Sequence, residues 1–214
     1  MNLVEHLKSQ EYPGRFIVVG KSNGKPMAIY GAMGRSDASL ARKYVHVQRE
    51  DSVYAVSTDQ AATAKGNPEL LTYRAVRTVG NDTLIANARH IEKANPQDLS
   101  LSLAGETFEP DTNRTPRITA ALFYNRAGKI EAALQIIRSR FDGSTSREER
   151  YVSLEEGEGR YIATYDGMDI RPAPTFFGEP VAIEMNFKNA GDAARQVYDA
   201  LAPNQERRTF VLVS

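Results

Sequence analysis

The sequence predicts a strand-dominated α+β fold with mostly antiparallel sheets. Two observations carry that expectation. Short apolar runs recur along the chain with turn residues between them at hairpin distance, and helical periodicity is confined to a few segments. Consecutive hairpins imply antiparallel pairing, so the helices must cover the sheets from outside.

In chain order, Asn2 to Ser9 carries Leu3, Val4 and Leu7 at helical spacing and predicts a short helix. After the Tyr12-Pro13-Gly14 turn, Phe16-Ile17-Val18-Val19 reads as a buried strand. Ser22-Asn23-Gly24 turns it into a partner from Pro26 to Met33. Gly34 to Ser39 is too small and polar for either element and is expected as a loop. Tyr44–Val47 and Val53–Val56 form a second predicted hairpin around Glu50-Asp51. Beyond the Lys65–Pro68 loop, Leu70 to Val79 is rich in β-formers, and Gly80-Asn81-Asp82 returns it as Thr83 to Ala86.

Ile91 to Leu103 is expected to hold an internal helix, with Asp98 as cap and Leu99, Leu101 and Leu103 following. Ile118–Tyr124 and Ile130–Ile137 pair across Asn125-Arg126-Ala127-Gly128, and Ser144 to Arg150 reads as a charged connector. Tyr161–Tyr165, Val181–Phe187 and Thr209–Val213 are predicted strands. Ala190 to Leu201 is a helix with Ala194, Val197, Tyr198 and Leu201 on one face and Asp192 near its start. Nothing repeats and no low-complexity linker divides the chain, so one domain over residues 1–214 is expected.

Composition excludes several functions. The 27 basic and 27 acidic residues give a net charge of zero, which disfavours a general nucleic-acid binder. The absence of cysteine removes disulfide scaffolds, thiolate nucleophiles, cysteine zinc sites and iron–sulfur clusters. No apolar run reaches the roughly 18–20 residues of a membrane-spanning helix, and the first residues lack a secretory layout. A cytoplasmic protein with no nucleic-acid or membrane partner is the expectation.

Only eight of the 27 basic residues are lysine, and arginine's planar fork suits carboxylates and phosphates. Arg15 follows a turn, Arg35 and Arg42 flank the small polar loop, Arg74 and Arg77 share a strand, and Arg117 follows Thr115-Pro116. Strand alternation places Arg77 on the face of Tyr73 and Ala75, away from Arg74. Gly31–Ser36 has neither a Walker lysine nor dinucleotide spacing; it suits a phosphate cradle or a tight connection. His6, His46 and His90 show no metal-ligand spacing, and no serine sits in a G-x-S-x-G elbow. Proton transfer would therefore fall to carboxylates and tyrosines. Glu109 and Asp111, in the proline-stiffened run Phe108 to Arg117, make the most site-like segment, although the same pattern suits a salt-bridged loop.

Taken together, Tyr12-Pro13-Gly14-Arg15-Phe16, Met33-Gly34-Arg35-Ser36, Tyr73-Arg74-Ala75-Val76-Arg77, Thr115-Pro116-Arg117-Ile118, Gly157-Glu158-Gly159-Arg160-Tyr161 and Phe177-Gly178-Glu179-Pro180 resemble, in order, the archaeal-type IMP cyclohydrolase family. The resemblance implies an Ntn-hydrolase-like fold, a four-layer αββα sandwich without an N-terminal nucleophile; Asn2 follows Met1 here. It implies ring closure of a formamido-imidazole-carboxamide ribonucleotide to inosine monophosphate with loss of water, needing no metal and no cofactor. By the same resemblance Glu109, Tyr73 and Arg42 are catalytic: Glu109 as proton shuttle or water-orienting carboxylate, Tyr73 as hydroxyl donor near the formyl group, and Arg42, with Arg35, as holder of the 5′-phosphate or the developing oxyanion. Arg35, Ser36, Asn87, Arg117 and Arg77 contact the purine ribonucleotide. The partner is thus a small molecule, and a homo-oligomer stays open. Asn87–Glu92 and Ser36–Ala41 depart from the family pattern, which leaves as the alternative a nucleotide-binding or amide-acting relative with a changed substrate.

Overall fold

The computed structural model describes residues 1–201 and 206–213. Its first half runs α1 (Leu3–Lys8), β1 (Arg15–Ser22), β2 (Lys25–Met33), α2 (Asp37–Leu40), β3 (Arg42–Val47), β4 (Ser52–Ser57), α3 (Gln60–Ala64), α4 (Pro68–Leu71), β5 (Tyr73–Val79) and β6 (Asp82–Ala86). The second half adds α5 (Leu99–Ser102), β7 (Arg117–Tyr124), β8 (Ile130–Ser139), β9 (Thr145–Ser153), β10 (Glu158–Ala163), β11 (Val181–Glu184), α6 (Ala190–Ala200) and β12 (Arg208–Val213). These strands form two sheets, of five strands in the order β11-β10-β1-β2-β12 and of seven in the order β3 to β9. Every ladder between them is antiparallel.

Local chemistry sets the pairing. Asn23 and Gly24 both take positive φ, 53° and 76°, the combination a two-residue hairpin turn demands, and Ser22 faces Lys25 across it. In β6, β7 and β8 the period-two alternation serves two cores at once. Ile85, Ile118, Ala120, Ala132, Leu134 and Ile136 point to the core shared with the five-stranded sheet. Leu84, Ala86, Ala121, Phe123, Ala133 and Ile137 point the other way, against Ile91, Leu99 and Leu103. Phe16, Ile17, Val18 and Val19 of β1 are buried on both faces. One face meets the seven-stranded sheet, and α1 with α6 covers the other side of the five-stranded sheet.

Several expectations need correction. The stretch expected as a loop contains α2, because Ser36 caps it and Ser39 completes the reciprocal box (Ser36 N–H to Ser39 Oγ, 2.9 Å). The supposed connector at residues 144–150 belongs to β9, paired with β8 from Ser139↔Thr145 to Glu131↔Ser153. Its charges mark an edge strand, where they block pairing with further chains. The expected helix over residues 91–103 shrinks to a 3₁₀ turn at Arg89–Glu92 and the single turn of α5. Pro96 forbids a continuous helix, although Asp98 does cap the remnant, accepting from Leu101 N–H at 2.9 Å. Leu70 lies in α4 and not in the following strand. In α6 the buried face is Ala193, Val197, Ala200 and the following Leu201; Ala194 is half-buried and Tyr198 is exposed beneath Arg208.

Side-chain alternation breaks at β5. Val53 pairs with Val76 but Tyr54 pairs with Arg74, so Ala75 is left without a partner in the register. Such a bulge inverts the alternation downstream. Tyr73, Ala75 and Val76 all face the shared core, and Arg77 turns to the opposite face beside Leu84.

Candidate functional site

A cleft of about 860 Å³ opens where the Tyr12–Arg15 turn meets the loops at residues 33–42, 66–71, 109–115 and 165–172. The turn needs glycine at position 14. Its φ is +72°, and a Cβ there would lie 2.3 Å from Thr164 Oγ1 and 2.6 Å from the Tyr165 ring.

Arg15 and Glu109 form the floor. Arg15 Nη1 is 3.0 Å from Glu109 Oε1, and its Nη2 donates to Oε2 at 3.3 Å; both side chains are almost fully buried. Asn87 Nδ2 donates to Glu109 Oε1 at 3.3 Å and to the Pro116 carbonyl at 2.9 Å, while its Oδ1 accepts from Ile118 N–H at 2.9 Å. A carboxylate this deep is costly to ionise. Burial raises the Glu109 pKa, and the facing Arg15 only partly offsets that rise. Burial weighs against the Arg15 charge as well, but Glu109, together with Tyr73, Tyr30 and Tyr165, more than compensates and keeps the guanidinium charged.

One wall is a hydroxyl network. Glu109 N–H donates to the Thr115 carbonyl at 2.8 Å, Thr115 donates through N–H and Oγ1 to Asp111 at 2.8 and 2.6 Å, and Tyr165 donates its hydroxyl to Thr115 Oγ1 at 2.7 Å. Tyr12 stacks on Tyr165 with ring centroids 5.6 Å apart, and Arg35 lies 4.7 Å over the Tyr12 ring. Burial raises both tyrosine pKa values, so the hydroxyls stay protonated.

The cleft thus brings together Arg35, Ser36, Arg42 and Glu109, with Asn87 directly behind Glu109. Arg35 is already engaged: Nη1 donates to Ile170 O at 2.8 Å and pairs with Asp169 at 3.3 Å. Arg42 is only 6% exposed, and its Nε donates to Ser39 O at 2.8 Å. No ion-pair partner for Arg42 occurs among the described residues. A buried guanidinium in that condition is a ready anion site.

Three expected site residues lie elsewhere. Tyr73 is buried beneath the cleft, its hydroxyl 2.8 Å from that of Tyr30 and 3.2 Å from that of Tyr44. Arg117 pairs with Glu106 outside the cleft. Arg77, inverted by the bulge, donates to Ile91 O and Glu92 O at 3.1 and 3.0 Å.

Arg171 and the pair Tyr12–Tyr165 line the cleft without having been singled out as site residues. Arg15, marked only by its place after a turn, proves to be the partner of Glu109. Tyr12 and Arg15 had a signal in the Tyr-Pro-Gly-Arg turn; Arg171 sits in an irregular stretch that carries none.

Among the described residues no cluster of His, Asp or Glu is placed to hold a metal ion, and no helix is long and apolar enough to cross a membrane. A family model described as "IMP cyclohydrolase-like protein" matches residues 12–213. A relative named "IMP cyclohydrolase", from Methanocella arvoryzae, is 29% identical over 200 residues, covering 88% of this chain and 86% of its own.

Proposed function

The chain belongs to the IMP cyclohydrolase-like family, and from that premise we propose that it closes the ring of 5-formamidoimidazole-4-carboxamide ribonucleotide to give inosine monophosphate and water. The observation that carries this reading is the cleft itself, with the buried Arg15–Glu109 pair as its floor and the unpaired Arg42 in its wall. The two helix-covered sheets are read, on the same footing, as the four-layer αββα sandwich of Ntn-hydrolase-like proteins, and the protein as a cytoplasmic enzyme of purine biosynthesis.

The chemistry balances within one substrate. The carboxamide nitrogen attacks the formyl carbon and loses one proton, the formamide nitrogen loses its proton as the C=N bond forms, and the formyl oxygen gains both protons and leaves as water. Nucleophile and electrophile are already tethered, so positioning supplies much of the acceleration, up to about 7–11 kcal/mol in ideal cases. Arg42, with Ser36 beside it, holds the anionic end of the nucleotide.

Glu109 moves the protons. Burial raises its pKa above the ordinary carboxylate value, so the protonated form is easier to reach than in an exposed glutamate, which suits a group that must both take and give a proton. Arg15 and Asn87 fix its orientation. Tyr73, off the cleft wall, contributes through position, because its hydroxyl lies close enough to Arg15 and Arg42 to interact with both charges.

The test is direct turnover. Purified protein incubated with the formylated ribonucleotide should produce inosine monophosphate, seen as a rise in ultraviolet absorbance, and Glu109→Gln and Arg42→Ala should each suppress it. Absence of turnover by the wild type would refute the assignment. Thermal stabilisation by another ligand class, without any by inosine monophosphate, would instead select a relative with a changed substrate.

A further inference from the structure

Four arginines line the cleft, and their ion pairs divide them. Arg15 is matched by Glu109 and Arg35 by Asp169, whereas Arg42 and Arg171 have no carboxylate within ion-pair distance among the described residues. Two positive charges are thus left uncompensated in a cleft whose remaining acid, Asp111, is occupied by Thr115. A phosphomonoester near neutrality carries between one and two negative charges and offers several acceptor oxygens, which two guanidinium forks match.

The loop that presents Arg171 is fixed on both sides. Gly167 O accepts from Tyr12 N–H at 2.8 Å, Asp169 N–H donates to Glu11 Oε2 at 3.2 Å, and Asp166 N–H donates to Pro174 O at 3.1 Å. Arg35 and Arg207 both pair with Asp169, and Arg35 also holds Ile170 O. Arg35 is therefore committed to bracing this loop. The arginine immediately after the braced residues lines the cleft, exposed and unpaired.

We propose that Arg171 is a phosphate-binding residue that acts with Arg42 on the 5′-phosphate of the nucleotide, and that Arg35 serves as the strut that places it. This deepens the assignment above and rests on it for the identity of the nucleotide, but its phosphate chemistry can be measured without any turnover.

Calorimetric titration with ribose 5-phosphate and with ribose separates phosphate binding from the rest. Arg171→Ala should weaken ribose 5-phosphate binding roughly ten- to a hundredfold, the size expected of a charge-assisted contact, with ribose binding unchanged. Arg171→Lys should fall between, because it keeps the charge and loses the fork. In the turnover assay Arg171→Ala should raise KM far more than it lowers kcat. Among the described residues Arg171 makes no hydrogen bond or ion pair that the substitution would break, so an unchanged melting temperature is expected. Equal ribose 5-phosphate affinities of variant and wild type, or parallel weakening of ribose and ribose 5-phosphate, would overturn the proposal. Failure of turnover combined with loss of ribose 5-phosphate binding in Arg171→Ala would refute only the reaction and leave the phosphate site standing.

Discussion

Replacing Glu109 with glutamine preserves shape and removes one charge, which isolates the ion pair at the cleft floor. At the observed 3.0 Å separation and an effective dielectric of about 20, the gross attraction to Arg15 is about 5–6 kcal/mol. Desolvation of both partners consumes much of that attraction. Removing only one partner, however, leaves Arg15 buried and uncompensated, and that situation costs about 3–5 kcal/mol. Glu109→Gln should therefore lower stability by about 3–5 kcal/mol in urea titration. Arg15→Met should do the same, and the double variant should lose less than the sum of the two. Turnover in Glu109→Gln should fall by about a hundred- to ten-thousandfold, the usual share of general acid–base catalysis. Additive losses in the double variant would show that the two side chains do not act as a pair. Near-wild-type turnover in Glu109→Gln would end its role in proton transfer.

Burial, with Arg117 and Arg15 nearby, pushes the His90 pKa down from 6.5 to about 3. The unfolded chain thus binds a proton that the folded chain refuses, so stability is complete above about pH 6.5 and falls towards pH 3, by about 4–5 kcal/mol if His90 acts alone. His90→Gln should flatten the pH dependence of the melting temperature in that window, and an unchanged slope would contradict it. Gly14→Ala should destabilise by at least about 2 kcal/mol, combining strain at positive φ with a clash against Thr164 and Tyr165; a melting temperature within a degree of wild type would refute that geometry. Tyr73→Phe should cost about 1–2 kcal/mol through its lost hydroxyl bonds and should lower kcat at constant KM. An unchanged kcat would reduce the tyrosine cluster to a tie between sheets.

The hairpins were legible because their signals are local. Asn23-Gly24 and the Asn125–Gly128 turn fix two of them, and alternation over β7 and β8 survives in the finished sheet. What stayed hidden depends on the partner strand or on distant chain. The bulge at Ala75 is a property of the β4–β5 register, so no pattern within β5 alone could place Arg77. β9 was masked by its edge charges, and α2 by a serine where a capping box more often has glutamate or glutamine. At the site, Glu109 was readable from proline-stiffened context, and its partner Arg15 lies 94 residues away. The pairing that distinguishes Arg35 from Arg171 exists only once residues 35, 169 and 207 meet.

The place of β12 beside β2 sets the order in which the molecule can be completed. Thr209 donates to the Ala32 carbonyl across 177 residues of chain, and Arg207, just before the strand, holds the loop that carries Arg171. During synthesis the seven-stranded sheet can assemble from neighbouring hairpins while the edge of β2 waits unpaired. Closing that edge and bracing the cleft are then late, long-range events, the slow kind in folding. An early-arrested chain would carry Glu109 and Arg42 but no finished cleft, which keeps binding competence coupled to completion of the fold.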